Sequence, residues 1–474
     1  MFFNSFAFIG FFITVLLLLF VGRLFGKNVI VRNVTLLAVS YFFYGYFNVG
    51  FTLILLFVTL VNYVAGAMLM SGAKRRKTIV TVCVALSLLP LAFYKYALFL
   101  LKSFSTMLSF ELNFQLLESL MLPVGISFFT FQALSYTIDI YRGKIKEKAT
   151  LLDFALFVSF FPTILSGPIE KARNLLPQIR SYFFPSFEEI TQGFAIFIWG
   201  LFKKIVVADR LAYYVDWAYG SAEYVSGSTL ACAAIFYSIQ IYCDFSGYSD
   251  MALGVAKALG FDITKNFRQP YFSRTFKDFW RKWHISLTSW FTEYVYFSLG
   301  GNRVKHKIRW IFNISMIFIL SGIWHGAAWN FLVWGLLHVF YYLCEHFLGL
   351  QKKDIRWTAM SSFFSGVIVF ALVTIAWVFF RLNTFDEAVY VLQKIVTDGT
   401  GHFSMGASTF TFVSTVSMLL VFVFYELAIR WGFICFDVSG YESKLIRNSG
   451  LLVPLLILLG MFGVSSNNFV YFQF

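Results

Sequence analysis

The chain alternates between long apolar runs and short polar connections. A helix needs about 20 apolar residues to cross the hydrocarbon core of a membrane. On this criterion the sequence predicts twelve transmembrane segments, near residues 5–25, 29–47, 49–70, 78–101, 117–138, 188–208, 227–245, 309–327, 329–349, 359–380, 409–431 and 449–465. The runs are continuous and lack the ten-residue alternation of a membrane barrel, so the predicted fold class is an all-α polytopic membrane protein.

Two intervals depart from this pattern. Residues 151–168 are apolar but short, and they end in a stretch that contains Pro162, Gly167 and Pro168. Non-helical backbone at membrane depth needs cover from protein or a water-filled cavity, so we predict a re-entrant segment with a cavity near it. Residues 262–309 mix aromatic and charged side chains, which favours interfacial or re-entrant helices. No linker or repeat divides the chain, and we interpret residues 1–474 as one integral domain.

The composition supports the membrane class. The 474 residues are 59% hydrophobic and 13% charged, and the mean hydropathy is +0.73, which is too apolar for an ordinary soluble domain. The aromatic content of 21%, with 62 Phe, fits lipid-facing surfaces and interfacial belts. Membrane lipids are therefore the first expected partner.

The net charge of +14 does not indicate a nucleic-acid partner, because the basic residues lie in short loops between apolar runs. They follow the first, third and fifth predicted segments, for example at 74–77 and 142–148. If these ends face the cytoplasm, the N-terminus lies outside. We expect the first apolar run, 6–21, to be a retained helix and not a cleaved signal peptide, because no basic region precedes it.

Metal, disulfide and nucleotide chemistry find no support in the sequence. The five cysteines are scattered without paired spacing, and no Walker-type loop or Gly-x-Ser-x-Gly elbow occurs. Four histidines also lack the i, i+4 pairing of a helical metal site: His306, His338, His346 and His402. We expect no metal ion and no bound cofactor.

His325 lies inside the apolar run 320–329, and an ionisable side chain at membrane depth is a functional candidate by default. A neutral imidazole in a dry site can accept a proton from a hydroxyl. The alternative is a structural histidine bonded to a backbone carbonyl. Gly322 and Gly326 favour the functional interpretation, because they let another helix or a ligand approach closely.

His284 follows Arg281, Lys282 and Trp283 in an aromatic and basic stretch. One hypothesis is that it orients the substrate or shares proton handling with His325. The plain alternative is an interfacial residue of an amphipathic helix whose cations face lipid phosphates.

Further polar residues are weaker candidates. Asp244 lies near the end of an apolar run, where a buried carboxylate needs a partner, and we interpret it first as a structural residue that binds a cation such as Arg268 or Arg274. Asn302 and Arg303 follow two glycines in a turn that could direct donors towards a charged group or a carbonyl.

Taken together, these segments resemble the membrane-bound O-acyltransferase family, in particular its bacterial alginate O-acetyltransferase-like branch. The most specific similarity lies in the two histidine-containing segments, 279–287 and 322–326. The other matching segments are 122–128, 160–162, 166–169, 242–250, 266–271, 300–303, 377–381 and 469–474.

The resemblance implies a ring of tilted helices around a central tunnel, with His325 as the catalytic histidine and His284 as its companion. It further implies a multi-pass protein of the bacterial cytoplasmic membrane that takes a thioester donor from the cytoplasm and acetylates a surface polysaccharide. An outer partner acyltransferase of the SGNH-hydrolase type often completes transfer in this branch.

The resulting hypothesis has acetyl-CoA as donor, attracted by the basic segments 142–148 and 303–309. His325 removes the proton from the attacking hydroxyl, and Asn302, Trp324 and His284 are candidate donors to the oxyanion. Arg303, Trp283 and Asp244 complete the candidate substrate contacts.

Three alternatives remain open at the sequence level. The same scaffold could transfer D-alanine from a carrier protein to teichoic acid. A polysaccharide or lipid transporter would involve no acyl chemistry, although no inverted repeat is visible. A structural subunit would only recruit an external acyltransferase.

Overall fold

The computed structural model describes residues 1–24, 26–109, 115–351, 358–406, 408–433 and 449–464. Within these ranges the regular structure is helical and contains no β-strand. Eight helices among the described residues are long and apolar enough to cross a membrane. The predicted all-α polytopic membrane fold is therefore confirmed.

By its internal contacts the chain forms two compact units. The first, unit 1, comprises Met1–Phe194 and Ala252–Thr264, and the second, unit 2, comprises Ala195–Met251 and Lys265–Phe474. The interpretation of residues 1–474 as one functional domain stays a prediction.

Unit 1 contains the helices of the N-terminal part of the chain. They are α1 (Phe6–Leu24), α2 (Val29–Gly45), α3 (Val49–Met70), α4 (Arg76–Leu108), α5 (Gln115–Glu118), α6 (Ile126–Tyr141), α7 (Leu151–Ser159) and α8 (Ala172–Arg180). The segment predicted at 117–138 differs from the structure, because Pro123 and a left-handed Gly125 at φ 77° delay the long helix until Ile126.

The non-helical segment after α7 is covered by protein. Its residues from Phe160 to Lys171 are all buried. A Cβ atom on Gly125 would lie only 2.2 Å from the Ile164 carbonyl oxygen, so glycine permits the close approach of α6. The buried Gln132 side chain donates to the Phe157 carbonyl and accepts from the Glu170 amide. The expected break in the helix is present, and side chains of unit 1 satisfy its backbone groups.

Helix α9 (Phe187–Leu201) leads from unit 1 into unit 2 and continues through a π-helical stretch, Phe202–Ala208. The other helices of unit 2 are α10 (Asp209–Gly220), α11 (Gly227–Ala258), α12 (Phe276–Lys282), α13 (Ile285–Phe291), α14 (Lys307–His325), α15 (Trp329–Phe347), α16 (Ala359–Arg381), α17 (Phe385–Thr397), α18 (Thr409–Arg430) and α19 (Ser449–Phe462). Helix α11 extends back into unit 1 at its C-terminal end.

The polar interval 262–309 forms short helices rather than one long surface helix. Between α12 and α13 the chain turns sharply at His284, and a π-helical stretch, Thr292–Tyr296, follows α13. The aromatic side chains of α12 and α13 are largely buried, including Phe279, Trp280 and Trp290. The interfacial or re-entrant character of the interval stays a prediction.

Candidate active site

His325 is the last residue of α14, and only 4% of its surface is exposed. Its ring packs edge-on against Trp324, Trp334 and Phe380, with centroid distances of 4.9, 5.1 and 5.2 Å. The helix ends here because Gly326 adopts an extended conformation. The imidazole is thus held at a helix terminus among aromatic rings of α14, α15 and α16.

Glycines set the position of this helix end. A Cβ atom on Gly322 would lie 2.3 Å from the Phe331 carbonyl oxygen, and one on Gly326 would lie 2.0 Å from the Phe331 ring. On α15, a Cβ atom on Gly335 would lie 2.6 Å from the Phe318 carbonyl oxygen. Helices α14 and α15 therefore pack at a distance that only glycine allows, as the sequence suggested for Gly322 and Gly326.

His284 lies immediately before α13, and only 1% of its surface is exposed. Its side chain is therefore packed inside unit 2 and does not lie on the surface. Burial lowers the pKa of His284 to about 3, so its imidazole is neutral at physiological pH. The residue adopts φ 42°, a left-handed conformation that is strained for a non-glycine residue and is frequent at functional sites.

Trp324 brings the two histidines into one cluster. Its ring contacts His325, its chain neighbour, and also His284, at a centroid distance of 5.9 Å. On its other side the His284 ring packs against Phe245 of α11, at 4.6 Å. Thus three of the predicted site residues share one buried cluster, although His284 and His325 are 41 positions apart in the chain.

Asn266 fixes the turn at His284. Its backbone carbonyl accepts from the Ile285 amide at 2.9 Å, and its side-chain oxygen accepts from the Ser286 amide at 3.2 Å. The side-chain nitrogen donates to Ser249 of α11, also at 3.2 Å. Asn266 is fully buried, so these bonds hold the strained residue against α11. Sequence reasoning had not singled out this asparagine, because its partners are distant in the chain.

The Asn266→Ala substitution tests this role. We expect kcat for acyl transfer to fall about 10-fold, with little change in the KM for the donor. The reason is that the Ser286 amide loses its hydrogen-bond acceptor, and leaving a buried donor without a partner costs about 1–3 kcal/mol. Asn266→Asp keeps that acceptor and should recover part of the rate. Asn48→Ala, which removes an exposed cap of α3, is the matched control. Equal kcat values for wild type and Asn266→Ala would contradict the assignment.

Trp283 is a packing residue beside the cluster. Its ring lies 5.1 Å from Phe267, 5.5 Å from Phe279 and 5.0 Å from Trp377, and only 1% of its surface is exposed. It anchors the end of α12 among aromatic rings, directly before His284 in the chain.

A cavity of about 710 Å³ opens beside this cluster within unit 2. Its inner wall includes Leu287, three residues after His284, and Ser321, one helical turn before His325. Trp280 and Phe318 line it as well. Its basic lining residues are Lys277, Arg281, Lys305, His306 and Lys307. Cationic and aromatic side chains therefore line one cavity, and its lining comes within three or four residues of each histidine along the chain.

Asn302 lies at this cavity and not at the histidines. It lines the cavity and accepts a hydrogen bond from the Tyr296 hydroxyl. Arg303, the next residue, is exposed. Both precede Lys307, the first residue of α14, and the 19 residues of that helix span about 27 Å before His325. The structure does not bring Asn302 and Arg303 together with His284, His325 and Trp324.

Asp244 belongs to a buried ionic cluster. Its carboxylate contacts the Lys204 ammonium group at 2.6 Å, and Asp209 contacts the same group at 2.7 Å. The cation is therefore Lys204 and not Arg268 or Arg274, which the sequence suggested. The close approach of Gly200 to Gly247 permits the pairing: a Cβ atom on either would lie within 2.7 Å of the carbonyl oxygen of the other.

The geometry defines an integral membrane protein in which one buried aromatic cluster holds His284 and His325 near a basic cavity. A family model described as MBOAT, membrane-bound O-acyltransferase family, matches residues 36–385. The chain belongs to this family and is an O-acyltransferase.

Curated relatives agree with this class. A protein of Azotobacter vinelandii named probable alginate O-acetylase is 33% identical over 422 residues, covering 87% of this chain and 82% of its own. A Helicobacter pylori protein named peptidoglycan O-acetyltransferase is 32% identical over 501 residues, covering 96% and 94%. A Bacillus subtilis protein named teichoic acid D-alanyltransferase is 30% identical over 253 residues, covering 49% and 61%.

Proposed function

We propose that this protein transfers an acetyl group from acetyl-CoA to a hydroxyl of a cell-surface polysaccharide, across the cytoplasmic membrane of a bacterium. The observation that supports this most directly is the buried cluster of His284, Trp324 and His325 about one helical turn from the inner wall of a basic cavity. Two relatives that align over most of the chain are named as O-acetyl-transferring proteins.

The basic cavity is the proposed donor site. Acetyl-CoA carries several phosphate charges at one end and its thioester at the other. Lys277, Arg281, Lys305 and Lys307 would bind the phosphates, and the long pantetheine arm would extend along the aromatic wall. Asn302 lines this cavity, whereas Arg303 is its exposed neighbour in the chain. In this proposal Asn302 contacts the donor, and neither residue has a role at the oxyanion.

The distribution of charge in unit 2 supports a cytoplasmic position for this cavity. Ten Lys and Arg residues lie between 265 and 309, whereas Lys394 alone lies in the segments 221–226 and 382–408. Basic loops favour the cytoplasmic side. Helix α14 then runs from the cytoplasmic side towards His325, and the acceptor would reach the histidine from the opposite face.

The proposed chemistry is one balanced acyl transfer. His325 accepts the proton of the attacking hydroxyl, a C–O bond forms at the thioester carbon, and the C–S bond breaks. The imidazolium then returns the proton to the departing thiolate, so no net proton is consumed. Trp324 and His284 are the proposed donors to the oxyanion, because both lie in the same cluster as His325.

One proposed route to the polymer uses a partner acyltransferase of the SGNH-hydrolase type on the outer face. In that case the first hydroxyl acetylated is a residue of the partner, and the glycan receives the group in a second transfer. Direct transfer to the glycan uses the same donor half-reaction at His325.

Donor identity is tested with purified protein in lipid nanodiscs. We expect label from [¹⁴C]acetyl-CoA to reach a hydroxyl acceptor, whereas a carrier protein charged with [¹⁴C]D-alanine should give no transfer. His325→Gln provides the blank for both donors. Transfer of D-alanine alone would support the function in the name of the Bacillus subtilis relative and overturn the acetyl proposal. Glycan transport without thioester loss would favour a transporter.

A further inference from the structure

Unit 2 contains a second cavity, with a volume of about 770 Å³. It lies where α10 and α16 end and α17 begins, and its walls include Asp216, Tyr219, Arg381 and Asp386. Arg381 directly follows Phe380, whose ring contacts His325 at 5.2 Å. The lining of this acidic cavity therefore includes the residue that follows Phe380, the ring partner of His325 at the C-terminal end of α14.

The charge of this cavity is opposite to that of the donor cavity. Four carboxylates and one guanidinium line it, a formal charge of −3: Asp216, Glu223, Asp386, Glu387 and Arg381. Lys394 lies nearby on α17 and donates to the carbonyls of residues 222 and 223, so a negative balance remains when it is counted.

Two of these acids are already committed to other contacts. Asp216 accepts from Arg381 at 2.5 Å, and Glu387 accepts from the Asn383 amide at 3.1 Å at the start of α17. Among the described residues, the Glu223 and Asp386 carboxylates form no ion pair, and both residues are exposed. They remain available as hydrogen-bond acceptors on the cavity wall.

A buried hydroxyl is an independent sign of a ligand. Tyr219 lines the cavity and is 8% exposed, yet its hydroxyl has no hydrogen-bond partner among the described residues. A buried polar group without a partner is costly, and such groups often mark bound water or ligand. Tyr224 and Tyr390, which are exposed, add aromatic faces to the same walls.

We propose that this acidic cavity is the acceptor site and that it binds an uncharged sugar ring. Sugar hydroxyls donate hydrogen bonds to carboxylates, and the faces of sugar rings pack on tyrosines, so a neutral or N-acetylated sugar fits these walls. Polyuronates and polyphosphates carry the same sign of charge as the cavity and are disfavoured. The inference rests on the proposed function in its direct form, in which the glycan itself supplies the attacking hydroxyl, and it specifies that acceptor as a neutral glycan.

The test measures binding without acyl transfer. Full-length protein in nanodiscs is titrated calorimetrically with tetrasaccharides of N-acetylglucosamine or of mannuronate at low ionic strength. We expect the neutral tetrasaccharide to bind at least about 10-fold more tightly, with the difference shrinking as salt screens the carboxylates. Glu223→Lys and Asp386→Lys should each reduce that preference, and Tyr219→Phe should weaken neutral binding about 3- to 10-fold.

Glu188→Lys is the matched control, because it makes the same charge change on an exposed residue outside the cavity. Equal or tighter binding of mannuronate would overturn the proposal. The proposal would also be overturned if the protein bound no sugar and acetyl transfer strictly required a purified outer partner protein. That result would make the cavity a protein-docking site. His325→Gln separates this inference from the proposed function, because the variant should lose acetyl transfer and still bind the sugar as wild type does.

Discussion

Replacing His325 with glutamine should lower kcat for acetyl transfer by about 10²- to 10⁴-fold, the range expected when a general base is removed. Glutamine retains much of the size of the imidazole and can fill the space among Trp324, Trp334 and Phe380. It cannot accept a proton from a hydroxyl near neutral pH. The measurement is the initial rate of label transfer from acetyl-CoA by purified protein.

Two controls distinguish chemistry from folding in this experiment. His402→Gln makes the same substitution at an exposed position and should retain wild-type kcat. Thermal unfolding in nanodiscs and donor binding to His325→Gln should both match wild type, because His325 lies one turn beyond the part of α14 that lines the donor cavity. A well-folded His325→Gln protein with wild-type kcat would end the base hypothesis.

Replacing His284 should lower kcat by a smaller maximum factor than replacing His325. We assign it to the oxyanion side of the cluster, where loss of one donor typically costs about 10²- to 10³-fold in kcat. Its neutral state at physiological pH fits a hydrogen-bond donor that does not have to change its charge. The two substitutions together should cost less than the product of the single effects, since both residues act on one transition state.

The fold class follows from the sequence because the lengths of apolar runs are a local property. For the same reason the predicted boundaries of the segments are less accurate, because they depend on contacts between distant parts of the chain. The segment expected at 117–138 begins only at Ile126 in the structure, because the chain turns at Pro123 and Gly125. Gly125 lies against Ile164, which is distant in the chain. The π-helical stretch after α9, Phe202–Ala208, also escaped the sequence prediction, which has one continuous segment at 188–208.

The sequence predicts those residues of the candidate site whose type is unusual among their chain neighbours. His325 and His284 are distinctive in the sequence alone, whereas their common contact with Trp324 depends on Asn266 holding the turn against α11. Asn302 was expected near the oxyanion because its chemistry suits that role. The fold instead separates it from His325 by the length of α14, which no local pattern encodes.

The second large effect is expected when positive charge is removed from the donor cavity, and it should appear in the KM for acetyl-CoA. Replacing Lys305 and Lys307 together with glutamine should raise the KM for acetyl-CoA about 10- to 100-fold and leave kcat nearly unchanged. Both side chains are exposed at the cavity, Lys305 shortly before α14 and Lys307 at its first residue. They lie at the opposite end of that helix from His325, so we expect them to contribute to donor binding and not to act on the reacting atoms. Hydrogen bonds to charged groups contribute about 1.5–3 kcal/mol each, partly screened at an exposed site.

The salt dependence of this double variant separates electrostatic donor binding from a loss of structure. Wild-type KM for acetyl-CoA should rise with ionic strength, because the cations are accessible to solvent, and the curve for the variant should be flatter. Arg268→Gln with Arg274→Gln removes two exposed cations outside the cavity and should retain both the wild-type KM and its salt slope. If the two double variants behave alike, the effect belongs to net charge near the membrane surface, and the donor phosphates bind elsewhere.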